Sequence, residues 1–217
     1  MKKITSLVLV TLLVCSLSIS SVFADTNADQ VEGKLFIETI SEEEFVKDLA
    51  REKGISIEEA RILNNQNTEK ALYSRNKNSY LGIGTRGHTD KVYYKRAYKI
   101  YRLNSDVSAE IGAKFKVLNS AGNKEILETC GNPYTRKAAG ASIVDWEELS
   151  VYTDPAGNYP TQSVTVLGCG YFYFEIDNGA SVGFDLAGFS ASGSTSTTTT
   201  YTSRTMDLQL DVDASDL

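Results

Sequence analysis

Histidine, cysteine and proline are scarce: the 217 residues hold one histidine, three cysteines and three prolines. A Ser-His-Asp or Cys-His mechanism would have to run through His88, and a zinc site normally draws on more histidine or cysteine than this. No catalytic residue, metal ligand or cofactor is therefore assigned. Long hydrophobic runs are absent after the first, Leu7–Leu17, which is shorter than the roughly 20 apolar residues of a membrane span. Lys2 and Lys3 before that run, and Val22-Phe23-Ala24 after it, give residues 1–24 the pattern of a secretory signal peptide. The protein is thus expected to be secreted and extracellular. Its formal net charge of −6 becomes more negative once Lys2 and Lys3 are removed, so nucleic acid is not an expected partner.

What is present is β-type alternation. In Ser163–Asp177 the even positions carry Val164, Val166, Gly168, Gly170, Phe172, Phe174 and Ile176, while the odd ones are mostly polar or tyrosine. This predicts a central antiparallel strand with one buried face. Asn178-Gly179 predicts a hairpin into Val182, Phe184 and Leu186. A three-residue loop with left-handed Gly179 would pair Phe174 with Val182 and Phe172 with Phe184, bringing the apolar faces together. Strands are also expected at Lys91–Arg102, Val107–Val117, Lys124–Cys130, Ile143–Tyr152 with a bulge near Glu147-Glu148, and Met206–Asp213. Gly131-Asn132-Pro133 is expected to turn the chain, and Ser190–Thr200 to form an exposed loop or edge hairpin. The fold class is mainly β: an antiparallel β-sandwich over residues 91–217, preceded by a short two-helix segment.

That segment, residues 25–65, is acidic. Ser41 with Glu44 and Ser56 with Glu59 are N-terminal capping pairs, Gly54 is a helix stop, and Phe45, Val46, Leu49 and Ala50 form an apolar stripe. Residues 66–90 are expected to be a polar linker, which would make the helices separable from the β domain. GIGTRG within it (Gly82, Gly84, Gly87) matches a dinucleotide fingerprint only as a string. A Tyr/Lys-rich strand follows instead of a helix, so no nucleotide cofactor is expected. The helix–Gly–helix run over residues 41–64 resembles the helical centre of LysM modules, which would imply binding of peptidoglycan-type glycans. Glu38-Thr39-Ile40-Ser41 stands where that family has its Gly-Asp-Thr-Leu-like entry.

The candidate binding residues are Lys91, Tyr93, Lys95, Lys99 and Tyr101. They alternate onto one face of the single basic block in an acidic chain and combine cations with aromatic platforms. Arg96 and Arg102 share the other face with Val92 and Ile100, where substitution is expected to harm folding more. Cys130 and Cys169, the cysteines left after signal removal, are expected to form a disulfide worth about 4 kcal/mol by constraining the unfolded chain.

In layout the chain resembles small uncharacterised secreted proteins of low-GC Gram-positive bacteria, with a signal peptide, a charged helix pair and a Tyr/Gly/Thr-rich β domain. The resemblance implies location and architecture. The expected function is noncatalytic binding of a cell-wall glycan or another anionic extracellular polymer, with cell-wall association. The alternatives are action on an anionic membrane surface, as a toxin or bacteriocin would act, and glycan-acting catalysis through paired carboxylates.

Overall fold

Ser163–Asp177 is the strand around which one of two sheets is built. In the computed structural model described here, residues 33–79, 90–120, 122–157 and 159–217 are described, without the side chains of 74–79. The expected signal peptide, His88 and the GIGTRG string lie outside them. The strands are β1 (Phe36–Thr39), β2 (Lys91–Arg102), β3 (Ser108–Ser120), β4 (Asn123–Ala139), β5 (Asp145–Asp154), β6 (Ser163–Asp177), β7 (Phe189–Ser194), β8 (Thr198–Ser203) and β9 (Met206–Asp213). Helices α1 (Glu42–Lys53) and α2 (Ile57–Ser79) lie between β1 and β2 in sequence. The sheets are antiparallel, ordered β1-β2-β3-β4 and β5-β6-β8-β7, with β9 also paired to β6. This is the expected mainly β sandwich with two helices ahead of most strands.

Alternation creates the core. Ala109, Ile111, Ala113, Phe115 and Val117 of β3 meet Val164, Val166, Phe172 and Phe174 of β6, together with Met206, Leu208, Leu210 and Val212 of β9. On β6 every even residue from Val164 to Phe174 is buried while its odd neighbours stay half-exposed or exposed. Gly170 leaves room for the Trp146 indole, whose Cε2 a Cβ there would approach to 2.7 Å. The expected bulge in β5 falls between Glu148 and Ser150.

Four expectations are corrected. Gly179 is left-handed (φ 91°), but Val182 and Phe184 do not pair with β6. The Ser/Thr run, as the β7–β8 hairpin, occupies that edge instead, and Tyr201 stacks on Phe174 with centroids 5.0 Å apart. Phe184 reaches the same ring from a loop, 5.2 Å away and edge-on. β-Branched threonines fit a pleated edge, and this pairing keeps the apolar phenylalanines free to pack side by side.

Gly131-Asn132-Pro133 does not end a strand. β4 runs on to Ala139, with the extra residues accommodated as a bulge between the Lys114–Cys130 and Gly112–Tyr134 pairs. Left-handed Gly131 (φ 69°) permits it.

The linker is partly helical, since α2 continues from Ile57 through Ser79. β1 pairs with β2 ahead of the helices, and Phe45, Val46, Leu49, Ala50 and Ala60 pack with Cys130 and Tyr94 of the sheet. The described residues accordingly fall within one unit rather than a helical appendage and a β domain. Ser41 Oγ accepts from Glu44 N at 3.1 Å. Ser56 and Glu59 form the full reciprocal box, with N–H donations of 2.9 and 3.2 Å.

Cys130 and Cys169 are both free thiols. Cys130 lies opposite Lys114 on the outward face of the first sheet, under α1, with its Sγ 3.2 Å from Phe45 O. Cys169 lies opposite Asp207 on the outward face of the second sheet, 3.3 Å from Ser150 Oγ. The thiols point away from the sandwich on opposite sides, which excludes the expected bridge in this fold.

Candidate binding cleft

Directly paired residues of an antiparallel sheet share a face. The odd residues of β3 enter the inter-sheet core, so their partners on β2 are turned to the same side: Tyr93 with Val117, Lys95 with Phe115, Lys99 with Ile111 and Tyr101 with Ala109. Tyr101 is 5% exposed and hydrogen-bonds Gln209 O of the opposite sheet, while Lys99 is 8% exposed. Lys95 donates to Thr39 Oγ1 at 2.8 Å and is half-buried; of the five, Lys91 alone is exposed. The basic strand forms, but its candidate face is turned inward and gives no continuous platform. Cation–tyrosine alternation marks the strand without saying which side meets solvent.

The opposite face holds a cleft of about 800 Å3 between α1 and the outward side of β2, β3 and β4. Three of its lining side chains, Arg96, Tyr134 and Arg136, converge on the buried carboxylate of Glu110. Arg96 Nη2 donates to Glu110 Oε1 at 2.6 Å, Tyr134 Oη at 2.7 Å, and Arg136 Nη2 to its two oxygens at 3.0 and 3.2 Å. Arg96 also donates to Tyr134 Oη at 2.8 Å and to Glu38 Oε2 at 3.1 Å. The Arg96 and Arg136 guanidinium carbons stand 5.8 and 5.1 Å from the Tyr134 ring centre. The ring fits because its strand partner is Gly112, where a Cβ would come within 2.7 Å of Tyr134 Cζ.

Burial opposes ionisation of Glu110, but the hydrogen bonds from Tyr134, Arg136 and Arg96 outweigh it and hold the carboxyl below its ordinary range. The same desolvation, reinforced by Glu110, pushes the Tyr134 phenol up to about 12. Arg96 loses solvation but is held charged by Tyr134 and Glu110. Glu110 is therefore a fixed acceptor, poorly matched to donating a proton near neutral pH.

The other wall is α1. Lys114 donates to Glu44 at 2.6 Å and also to Asp48, and Arg51 pairs with Asp48. Glu52 Oε2 accepts the Gly131 N–H at 2.9 Å, so the bulge stitches sheet to helix. Cations and carboxylates alternate around the cleft with little net charge. The groups with donor capacity turned outward are the guanidinium groups of Arg136 and Arg51, whose side chains are 55% and 79% exposed.

Sequence reading missed Arg136 and Tyr134, because Gly131-Asn132-Pro133 hid the continuation of β4. One signal was available. Glu110 is a lone carboxylate amid the small and apolar residues of a strand buried along most of its length, and a buried carboxylate calls for basic partners on neighbouring strands.

Among the described residues, no group of histidine, cysteine, aspartate and glutamate could hold a metal ion. Asp211 of β9 instead accepts from Thr165 at 2.7 Å and from Gln209 at 2.9 and 3.0 Å. No described helix is long and apolar enough to cross a membrane. No family model matches this chain, and no curated protein or solved structure does.

Proposed function

We propose that this is a noncatalytic extracellular binding protein that takes a cell-wall-type glycan, hydroxyl-rich and carboxylate-bearing, in the cleft between α1 and the first sheet. The observation that carries this reading is Arg136: Glu110 and Tyr134 fix it from below, while more than half of its side chain stays in solvent. A guanidinium held that way is pre-oriented for a planar carboxylate, so little side-chain freedom is lost on binding. The surrounding alternation of carboxylates and cations suits hydroxyl groups, which both donate and accept.

Retention on purified cell-wall material, followed as salt rises, tests the reading. Arg136→Ala should weaken retention while the Lys91→Ala variant behaves as the parent. Equal retention of both variants would remove the cleft from binding. Dye release from anionic vesicles without wall retention would favour the membrane-active alternative, and release of soluble sugar would favour a glycan-acting enzyme.

A further inference from the structure

The helix pair also closes over a buried polar cluster that the cleft does not use. Lys116 of β3 points outward beneath α2, and both it and Asn64 of α2 are 0% exposed. Lys116 Nζ donates to Asn64 O at 2.5 Å and to Asn64 Oδ1 at 2.6 Å. Asn64 Nδ2 donates in turn to Glu42 Oε1 at 3.0 Å and to Tyr94 Oη at 2.9 Å. Glu128 faces Lys116 across the β3–β4 ladder, but its carboxylate accepts from Asn67 Nδ2 at 3.1 and 3.2 Å. A buried amine, a side-chain amide in contact with it and a carboxylate on the amide nitrogen are thus in one place.

We propose that Lys116 and Asn64 join in an intramolecular isopeptide bond, formed by the protein itself once the helices dock on the sheet. Burial lowers the pKa of the Lys116 ammonium to about 8, against the pull of Glu128 and Glu42, so a neutral, nucleophilic amine is accessible near neutral pH. That amine attacks Asn64 Cγ. The new N–C bond forms as the carbonyl electrons move to Oδ1. The attacking nitrogen loses one proton, which the Glu42 carboxylate takes up and delivers to Nδ2. The pair on Oδ1 then re-forms the carbonyl as the C–Nδ2 bond breaks with its electrons on nitrogen, and ammonia leaves. An amine and a primary amide become a secondary amide plus ammonia, with no oxidant or other reactant required.

Each neighbour has a part in this step. Contact between the reacting groups makes it effectively unimolecular, and Glu42 and Tyr94 hold the amide nitrogen that must depart. The fully buried amine and amide keep water from competing for the same carbonyl. Glu42 is exposed as a residue and links the buried pair to solvent, where ammonia is released. The product would tie α2 to β3 and restrict the unfolded chain as a disulfide does, in a fold whose two described cysteines are unpaired.

Intact-mass spectrometry of the folded wild-type protein, with its N-terminus determined, tests the bond. The expected mass is below the sequence mass by one ammonia, and a tryptic digest should contain a branched peptide joining the segments that hold Asn64 and Lys116. Lys116→Met and Asn64→Ala should restore the full mass. Glu42→Gln should leave most of the protein unlinked while it still melts cooperatively. Wild-type protein with the full sequence mass and two separate peptides overturns the proposal, as does ammonia loss without the branched peptide. The wild-type measurement decides even where a variant fails to fold.

Discussion

The two sheets divide the charge of the molecule between them. Among the described residues, every lysine and arginine within a strand lies in the four-stranded sheet, on β2, β3 or β4, and none occurs in β5, β6, β7, β8 or β9. The outward face of the five-stranded sheet carries Asp145, Glu147, Glu175, Asp207, Asp211 and Asp213 among threonines and tyrosines. Such carboxylates remain solvated, and no described helix packs on them. The outward face of the four-stranded sheet is partly roofed by α1 and α2, with its basic side chains answered by acids of the helices, such as Glu44 and Asp48 to Lys114. Basic strands therefore acquire a partner layer and a cleft, whereas acidic strands stay open. By charge, a carboxylate-bearing ligand would be disfavoured at the second face and would find the Arg96 and Arg136 guanidinium groups on the first.

The contrast breaks most readily at the helix–sheet contact. Phe45→Ala and Phe115→Ala each remove a fully buried ring, one beneath α1 and one between the sheets, and each should cost about 3–5 kcal/mol. Denaturant unfolding of both variants should remain a single transition at a lower midpoint. A Phe45 variant in which the sheet melts at its original midpoint would show that the helices are a separate appendage after all. Next in size, Glu110→Gln leaves Arg96 without its closest carboxylate and should cost about 3 kcal/mol.

Acid should sharpen the same point. Glu110 is held below its ordinary value of 4.5, so its contribution is present above that value and is lost as the pH falls through the lower folded one. The parent should therefore lose more stability than Glu110→Gln on acidification below about pH 4.5, as thermal melts across that range would show. Smaller still, Lys91→Ala at the exposed end of β2 should move stability by no more than about 0.5 kcal/mol. The smallest effect expected is that of reductant. Unfolded protein, without reduction, should titrate thiol from both Cys130 and Cys169, and reductant should leave the melt in place.

Patterns local to one strand were legible in the sequence. The alternation of Ser163–Asp177 and Met206–Asp213, the left-handed Gly179, the caps at Ser41 and Ser56 and the β5 bulge all follow from residues within a few positions of each other. What was not legible depended on long-range partners. The pairing of β6 was decided by Thr198–Thr202 and by Met206–Gly170 contacts to β9, rather than by the adjacent hairpin signal. The inward turn of Lys99 and Tyr101 was set by β3, since a twelve-residue strand with tyrosines on both sides fits either orientation. The disulfide failed for the same reason, because cysteine number says nothing about which faces the thiols occupy. The cleft required Arg96, Glu110 and Arg136 from three strands and Asp48 from a helix, and no single stretch contains them.

Titration calorimetry of the folded protein with soluble acidic cell-wall fragments, comparing the parent with Arg136→Ala and Lys91→Ala, tests the central claim most directly. The cleft predicts saturable binding by the parent and by Lys91→Ala, at least tenfold weaker binding by Arg136→Ala with an unchanged melt, and weakening of the parent as salt rises. Binding that is identical in all three proteins, or lost only with Lys91→Ala, would contradict it.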